Sequence, residues 1–306
     1  MGEINKKIKF VKFKGGLGNQ LFQYAFLKNI ERYCNCKVKG DFSHYNNLIK
    51  EDLIRVPRIL KMNVNIDIAT EKDLKKVLIF KSFKFNPKSK KYKMSTVFET
   101  LFNRKYFFEF DRKYRTVKDI INYIIFDGYW QSWRYVKNVE KILKKEITLR
   151  DKISKKNAIF IDKVTKEESV FIGIRKGDYH STKKSMNRYG IFDENYFNRA
   201  IEIIKRKVLN PKFYVFSNDI DWVKNNIKFD EKVIYREKKD QVNDLEELFV
   251  LGSFKHAIIV NSTFYWWGAW LINNKDKIVI APKEWFNDGS KIDIVPPEWI
   301  KLSRRN

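Results

Sequence analysis

Arg175 and Lys176 directly follow an apolar run in FIGIRKGDYH, and Asp178 stands close behind them. A guanidinium keeps its charge at every physiological pH, and its planar fork can bind two oxygens of a diphosphate at once. Arg175 is therefore a candidate ligand for a diphosphate at the end of a buried strand. The alternative is a salt bridge from Arg175 to Asp178 that only holds the loop.

A second polar segment, FSNDIDW, places Ser217, Asn218 and Asp219 after the apolar run KFYVF. Short polar side chains of this kind suit the ribose or the base of a nucleotide. Asp219 and Asp221 also form an acid-x-acid triplet, a pattern that holds Mn²⁺ or Mg²⁺ on a nucleotide sugar through carboxylate oxygens. The sequence leaves both interpretations open.

In a third segment, VNSTFYWWGAW, Asn261, Ser262 and Thr263 stand between an apolar run and a helix-like one. The start of a helix offers free N–H groups and the positive end of its dipole, so this segment is a second candidate phosphate site. The tryptophans that follow are interpreted as helix packing.

The stretch GGLGNQLFQYAF near the start of the chain contains Gly16 and Gly18 ahead of an apolar helix-like run. Such a turn lets bare backbone N–H groups approach a phosphate or a sugar oxygen. It is similar to a dinucleotide fingerprint with Asp41 as the ribose-binding acid, but Leu21 occupies the third glycine position. A nicotinamide enzyme is thus a weak second choice, and Asn19 either binds a ligand or caps the helix.

Strand-like and helix-like segments alternate around these groups, which predicts parallel sheets covered by helices. We predict two α/β domains, residues 1–150 and 151–306, with a cleft between them. A long helix containing VKNVEKILKKEI should follow the aromatic loop at 129–133, whereas residues 48–115 receive no assignment. The predicted strands are 8–13, 38–42, 120–126, SVFIGIR, KFYVFS, KVIY, HAIIV and KIVIA.

The chain carries 63 Lys and Arg against 37 Asp and Glu, a formal net charge of +26. Such an excess suits nucleic acid, an anionic membrane or a phosphate-bearing substrate, although lysine is spread widely enough for compositional bias to explain it. The densest cluster, 81–93, is either a patch for phospholipid head groups or a solvated loop.

Cellular context is predicted from the lack of a visible signal peptide or apolar span, which indicates a cytoplasmic protein. Cys34 and Cys36 are the only cysteines, and we expect free thiols in a reducing compartment. The three histidines are scattered without paired-ligand spacing, so a structural metal is not expected.

Five motifs in order resemble the α-1,2-fucosyltransferases of glycosyltransferase family 11: GGLGNQLFQYA, GYWQS, IRKGDY, FSND and NSTFYWWGAWL. The resemblance implies an α/β architecture of GT-B type, with two Rossmann-like domains whose parallel sheets face a cleft. The acceptor side would be 1–150 and the GDP-fucose side 151–306. The implied enzyme is a galactoside α-1,2-fucosyltransferase that inverts the anomeric configuration, builds a bacterial surface glycan and needs no metal or other cofactor.

The resemblance also implies roles for the candidate residues. Arg175 would stabilise the GDP leaving group, and Asp178 would either act as the base or orient Arg175. The glycine turn would let Asn19 and bare backbone meet the diphosphate across the cleft. The implied donor-binding residues are Gly16, Gly18, Asn19, Gln20, Lys176, Ser217, Asn218, Asp219, Asn261, Ser262, Thr263 and Phe264, with no metal ligand.

The sequence departs from the family pattern where Gly173 replaces the usual His and Lys176 replaces the usual Arg. The first change removes a candidate acid/base, and the second keeps the charge but loses the fork.

The implied partners are GDP-fucose, a galactose-containing oligosaccharide or lipid-linked glycan, and an anionic membrane surface on the inner face, but not nucleic acid. The alternatives are a metal-dependent nucleotide-sugar transferase that uses Asp219 and Asp221, and a sugar-binding protein without turnover.

Overall fold

The computed structural model describes residues 8–46, 57–176 and 183–304. The chain divides into two compact units, Met1–Arg150 and Asp151–Asn306, and each contains its own parallel sheet with helices around it. Among the described helices, none combines the length and apolarity needed to cross a membrane.

The first unit contains a sheet of five parallel strands with helices around it. Its elements are β1 Lys9–Lys12, α1 Leu17–Cys34, β2 Val38–Asp41, α2 Ser43–Asn46, β3 Asp67–Ile68, α3 Glu71–Lys75, α4 Lys90–Phe102, β4 Tyr106–Phe108, α5 Val117–Ile120, β5 Ile125–Asp127, α6 Trp133–Asn138 and α7 Glu140–Glu146. The strand order is β3-β2-β1-β5-β4. The chain adds β2 and β3 on one side of β1 and β5 and β4 on the other, so β1 lies at the topological switch point where α/β sheets bind ligands. The glycine-rich turn follows β1 directly.

The second unit contains a sheet of six parallel strands with helices around it. Its elements are α8 Lys155–Thr165, β6 Ser169–Ile174, α9 Lys183–Tyr189, α10 Glu194–Lys205, β7 Lys212–Ser217, α11 Ile220–Asn226, β8 Val233–Tyr235, α12 Asp244–Gly252, β9 His256–Ile259, α13 Thr263–Leu271, β10 Val279–Pro282 and β11 Ile300–Leu302. The strand order is β11-β10-β9-β6-β7-β8. Here β6 lies at the switch point, since β7 and β9 pair with its two edges. Every residue of β6 is buried, and its sequence SVFIGI is mostly apolar because helices cover both faces.

Two element predictions in the first unit are wrong in their bounds. The strand predicted over 120–126 begins only at Ile125, because a capping box at Thr116 and Asp119 starts the short helix α5 ahead of it. The predicted long helix is two helices, α6 and α7, since Val139 between them has φ −122° and ψ 19°.

The prediction of free thiols at Cys34 and Cys36 is also wrong, because the structure bonds their Sγ atoms. Helix α1 ends at Cys34, and Asn35 follows in the left-handed conformation with φ 45°. This reversal leaves the two Cα atoms 5.1 Å apart, a separation that a disulfide spans. Sequence spacing alone did not anticipate the turn.

Candidate functional site

The carboxyl ends of three neighbouring strands bring most of the predicted residues of the second unit to one edge of its sheet. Arg175 and Lys176 follow β6, the segment 217–219 ends β7, and 261–263 follows β9. Ile174 pairs with Ser217 in the sheet register, so the first two segments are direct neighbours. Asp178 lies outside the described residues.

Lys176 joins two of these segments. Its backbone N–H donates to Asn218 Oδ1 at 3.1 Å, and its Nζ donates to Asp219 Oδ2 at 3.1 Å. The ammonium also lies 4.8 Å from the centre of the Trp222 ring. These contacts fix Lys176 between the segment after β6 and the segment after β7.

Asp219 uses both carboxylate oxygens within the protein. Oδ1 accepts the Trp222 N–H at 3.1 Å and caps α11, while Oδ2 accepts from Lys176. The hydrogen bond from Lys176, followed by the one from Trp222, lowers the pKa of Asp219 and keeps it ionised. The Asp219 N–H donates to Ser217 Oγ at 3.0 Å, which fixes the turn and leaves Asn218 as the exposed side chain.

Asn261 is 2% exposed and donates from Nδ2 to the Tyr189 and Trp285 carbonyls, both at 2.9 Å. Its amide nitrogen therefore holds the segment after β9 against these two carbonyls. Ser262 is the N-cap residue of α13, yet its hydroxyl makes no capping bond to the helix. The first N–H groups of α13 thus lack a side-chain cap, beside the partly exposed Thr263 and Phe264.

A close neighbour explains why position 173 holds a glycine. A Cβ at this position would lie 2.4 Å from Tyr265 Cγ, and the Tyr265 ring is buried against the strand. The Tyr265 hydroxyl can donate to the Phe216 carbonyl at 3.1 Å or to the Ile174 carbonyl at 3.3 Å. Tyr265 therefore fills the space that a larger residue at 173 would need, and it supports the backbone just ahead of Arg175.

We expect Gly173→Ala to lower stability by about 1–3 kcal/mol, because the buried Tyr265 ring must move to admit the methyl group. The matched control is Gly16→Ala, since a Cβ at Gly16 meets nothing within 4 Å and its φ is −78°. Thermal unfolding measures both variants. If Gly173→Ala melts with the wild type, the packing explanation of this glycine is incorrect.

In the first unit, the glycine turn contains two glycines with different explanations. Gly15 has φ +81°, and a Cβ there would lie 2.5 Å from Asn19 Nδ2, so both backbone and packing favour glycine. Gly16 is exposed and has an ordinary φ, and nothing in the part of the chain that the structure describes crowds its missing side chain. Asn19 accepts from Gln131 Nε2 at 2.8 Å through Oδ1, while Gly18 is buried in the first turn of α1.

Gln20 supports this turn from inside. It is fully buried, its Nε2 donates to the Gly15 carbonyl at 3.1 Å, and its Oε1 accepts the Ile59 N–H at 3.0 Å. The amide of Gln20 thus holds the turn together, and its predicted role as a donor contact stays a prediction. Gln23, which the sequence analysis did not single out, donates from Nε2 to the Gly128 carbonyl at 3.2 Å and so connects the motif GGLGNQLFQYA to GYWQS.

A buried charged cluster at the carboxyl ends of β1 and β5 was missed from the sequence. Lys14 Nζ lies 2.5 Å from Asp127 Oδ1, Lys12 Nζ lies 3.7 Å from Asp127 Oδ2, and the Tyr106 hydroxyl donates to Asp127 Oδ2 at 2.5 Å. Burial alone would raise the pKa of Asp127, but Lys14 and Lys12 outweigh it and hold the pKa below its usual range. The two lysines at positions 12 and 14, spaced two apart at the end of β1, are the sequence signal that could have found it.

Glu109, which follows β4, and a cavity at the ends of β2 and β3 are two further polar features of this sheet. Glu109 accepts hydrogen bonds from the N–H groups of Tyr129 and Trp130 at 2.6 and 3.1 Å, and burial raises its pKa.

A cavity of about 430 Å³ opens where β2 and β3 end. Its lining includes Phe42, Ser43, Ala69, Glu71 and Phe83. No group of three metal-ligating side chains occurs within 8–46, 57–176 and 183–304.

A family model described as glycosyl transferase family 11 matches residues 9–303. The chain belongs to this family. It is a glycosyltransferase, and the family model covers both units and all five motifs.

Among curated relatives, an Escherichia coli α-1,2-colitosyltransferase is 30% identical over 97% of this chain and 99% of its own length. The Escherichia coli O-antigen biosynthesis glycosyltransferase WbnK is 26% identical over 94% of this chain and 98% of its own length. A galactoside α-(1,2)-fucosyltransferase 2 from Rattus norvegicus is 24% identical over 56% of this chain and 49% of its own length.

Among solved structures, NodZ α-1,6-fucosyltransferase co-crystallised with GDP superposes with a TM-score of 0.50 at 13% identity. The match covers 87% of this chain and 93% of that one. At this identity the likeness concerns the fold, and the predicted α/β architecture of GT-B type with two Rossmann-like parallel sheets is confirmed.

Proposed function

We propose that this family 11 glycosyltransferase transfers L-fucose from GDP-fucose, with inversion, to the 2-hydroxyl of a galactoside in a bacterial surface glycan. The observation that carries the proposal is the position of Arg175 at the switch point of the second sheet, next to the start of α13, which follows the neighbouring strand. A guanidinium and the N-terminus of a helix at one edge form a cationic, donor-rich site suited to a diphosphate.

In the proposed reaction the acceptor hydroxyl attacks the anomeric carbon while the bond to the GDP oxygen breaks. Negative charge then grows on the diphosphate, so groups that bind its oxygens accelerate the step by stabilising the leaving group. We assign this role to Arg175, to the start of α13 with Ser262 and Thr263, and to the backbone at Gly16. Asp178 is proposed either to take the acceptor proton or to orient Arg175.

The nucleoside is proposed to contact the segment after β7. Asn218 is exposed there, while Ser217 and Asp219 fix the turn that presents it. Lys176 would assist indirectly, through its bonds to Asn218 and Asp219. Asn261 and Gln20 would likewise act as positioning residues, since both amides bond within the protein.

The first unit is proposed to bind the acceptor. Its sheet edge offers aromatic faces, a cavity of about 430 Å³ with polar and aromatic lining, and buried charges that could orient sugar hydroxyls. The relatives' names support a 2-hydroxyl acceptor, since the colitosyl and fucosyl enzymes above are both α-1,2 transferases. The two names differ in the sugar that is transferred, so two donors have to be compared, GDP-fucose and GDP-colitose. Colitose lacks the 3-hydroxyl of fucose.

One turnover assay tests both the identity of the donor and the requirement for a metal ion. Turnover with a galactoside acceptor is expected with GDP-fucose, not with UDP-galactose, and it should persist in excess chelator because Arg175 and helix N–H groups carry the diphosphate charge. Loss of turnover in chelator that Mn²⁺ restores would favour the metal-dependent alternative at Asp219 and Asp221. That alternative has less support because both Asp219 oxygens are already bonded.

Two further results would contradict the donor assignment. Preference for GDP-colitose over GDP-fucose would keep the family and the site but change the sugar. Binding of glycans with no release of GDP from any nucleotide sugar would indicate a sugar-binding protein without turnover.

A further inference from the structure

Helix α4 and its C-cap bury a row of three polar residues against the protein. Ser95, Glu99 and Asn103, spaced four apart, are all buried. Glu99 accepts the Ile79 and Phe80 N–H groups at 3.2 and 2.6 Å, and it accepts from Asn103 Nδ2 at 2.8 Å. A helix at the surface of a soluble protein normally buries its apolar face, so α4 has the opposite pattern.

The opposite face of α4 is apolar and exposed. Its large side chains recur at the three- and four-residue spacing of a single helix face. We call this face the α4 stripe, and it consists of Met94 at 56% exposure, Val97 at 54%, Phe98 at 37%, Leu101 at 68% and Phe102 at 63%. Ile79, 56% exposed, and Phe80, whose ring lies 5.3 Å from that of Phe98, extend the same surface.

Positive charge surrounds the α4 stripe. Residues 75–108 contain ten Lys and Arg, and Glu99, which is buried, is the only acid among them. The basic residues near the stripe are exposed: Lys81, Lys84, Lys88, Lys90, Lys91, Lys93, Arg104 and Lys105.

We infer that the α4 stripe binds an anionic membrane surface, with α4 lying in the plane of the interface. Apolar residues on one face and lysines at its borders are the two features by which interfacial helices bind acidic lipid. A second copy of the chain fits this surface poorly, since a protein of net charge +26 would bring two basic borders together. The inference does not depend on the identity of the donor or the acceptor sugar.

The test is sedimentation of the full chain with vesicles of equal parts phosphatidylglycerol and phosphatidylcholine, at low salt and without substrate. Wild type should sediment with these vesicles and not with pure phosphatidylcholine. Leu101→Gln with Phe102→Gln should weaken partitioning by about ten-fold or more, because apolar contact with the acyl boundary is lost. The matched control is Leu209→Gln, an 82% exposed leucine of the second unit.

A second variant tests the contribution of the positive charge, with Lys90, Lys91 and Lys93 all replaced by Glu. We expect its partitioning to the vesicles to fall by about 100-fold or more. Its control makes the same change in net charge at Lys207, Lys228 and Lys291, which are exposed in the second unit. All variants are first checked for wild-type melting behaviour.

Three results would overturn the inference. The first is that the Leu101 and Phe102 variant sediments as well as wild type, which would mean that the net positive charge alone, and not the α4 stripe, attracts the vesicles. The two lysine triples could weaken binding equally. The chain could form a dimer that Phe102→Gln dissociates while no vesicle binds it, and the occupant would then be a second copy.

Discussion

Arg175→Lys is expected to lower turnover with GDP-fucose by about 10²–10³-fold while leaving the melting temperature unchanged. Lysine keeps one positive charge but cannot bind two diphosphate oxygens through a planar fork, so the contact that strengthens as GDP departs is lost. Because Arg175 is partly exposed at the end of β6, the replacement removes little packing and the fold should survive.

The matched control is Arg206→Lys, at the exposed end of α10 in the same unit. It should retain normal turnover. If Arg175→Lys works within a few-fold of wild type and Arg175→Ala instead melts early, Arg175 is a structural residue that holds its loop. The donor site would then depend on the start of α13 and the glycine turn.

Asp127→Ala is expected to lower the stability of the first unit by about 3–5 kcal/mol, because it leaves two buried lysines without their carboxylate. Lys12 and Asp127 are each 1% exposed, and Lys14 is 13% exposed. Calorimetric unfolding measures the loss. The control is Asp111→Ala, whose ion pair with Arg115 is 36% and 31% exposed, so its removal should cost no more than about 1 kcal/mol.

The stabilisation from Asp127 should also depend on pH in one direction. Its pKa in the folded state lies below the unfolded value of about 3.9. The contribution is therefore complete above that unfolded value and is lost as pH falls below it. The difference between wild type and Asp127→Ala should shrink on acidification from about pH 5, whereas a constant difference would contradict the charge explanation.

The second unit was more predictable from sequence than the first. Strands such as β6 and β7 are buried on both faces and read as continuous apolar runs, while α10 and α13 follow with helical spacing. In the first unit, β3 has two residues and β4 has three. The helix α4 exposes the apolar residues that a pattern-based prediction expects to be buried. Hydrophobic periodicity therefore predicted no helix or strand in residues 48–115.

The candidate site was predictable to the extent that strand order follows from strand-helix alternation. Arg175, Ser217 and Ser262 share an edge because their strands are neighbours. The sequence could not distinguish side chains that face this edge from side chains that bond within the protein. The hydrogen bonds of Gln20 and Asn261 to backbone carbonyls are visible only in the structure. The need for glycine at 173 was likewise hidden, because its neighbour Tyr265 is distant in sequence.

The most direct test of the central claim is nuclear magnetic resonance of the product formed from GDP-fucose and a β-galactoside. The account predicts that fucose, β-linked in the donor, becomes α-linked to the 2-hydroxyl of galactose, with one GDP released per linkage. A β-linked product, attachment at another hydroxyl, or no transfer from GDP-fucose would contradict it.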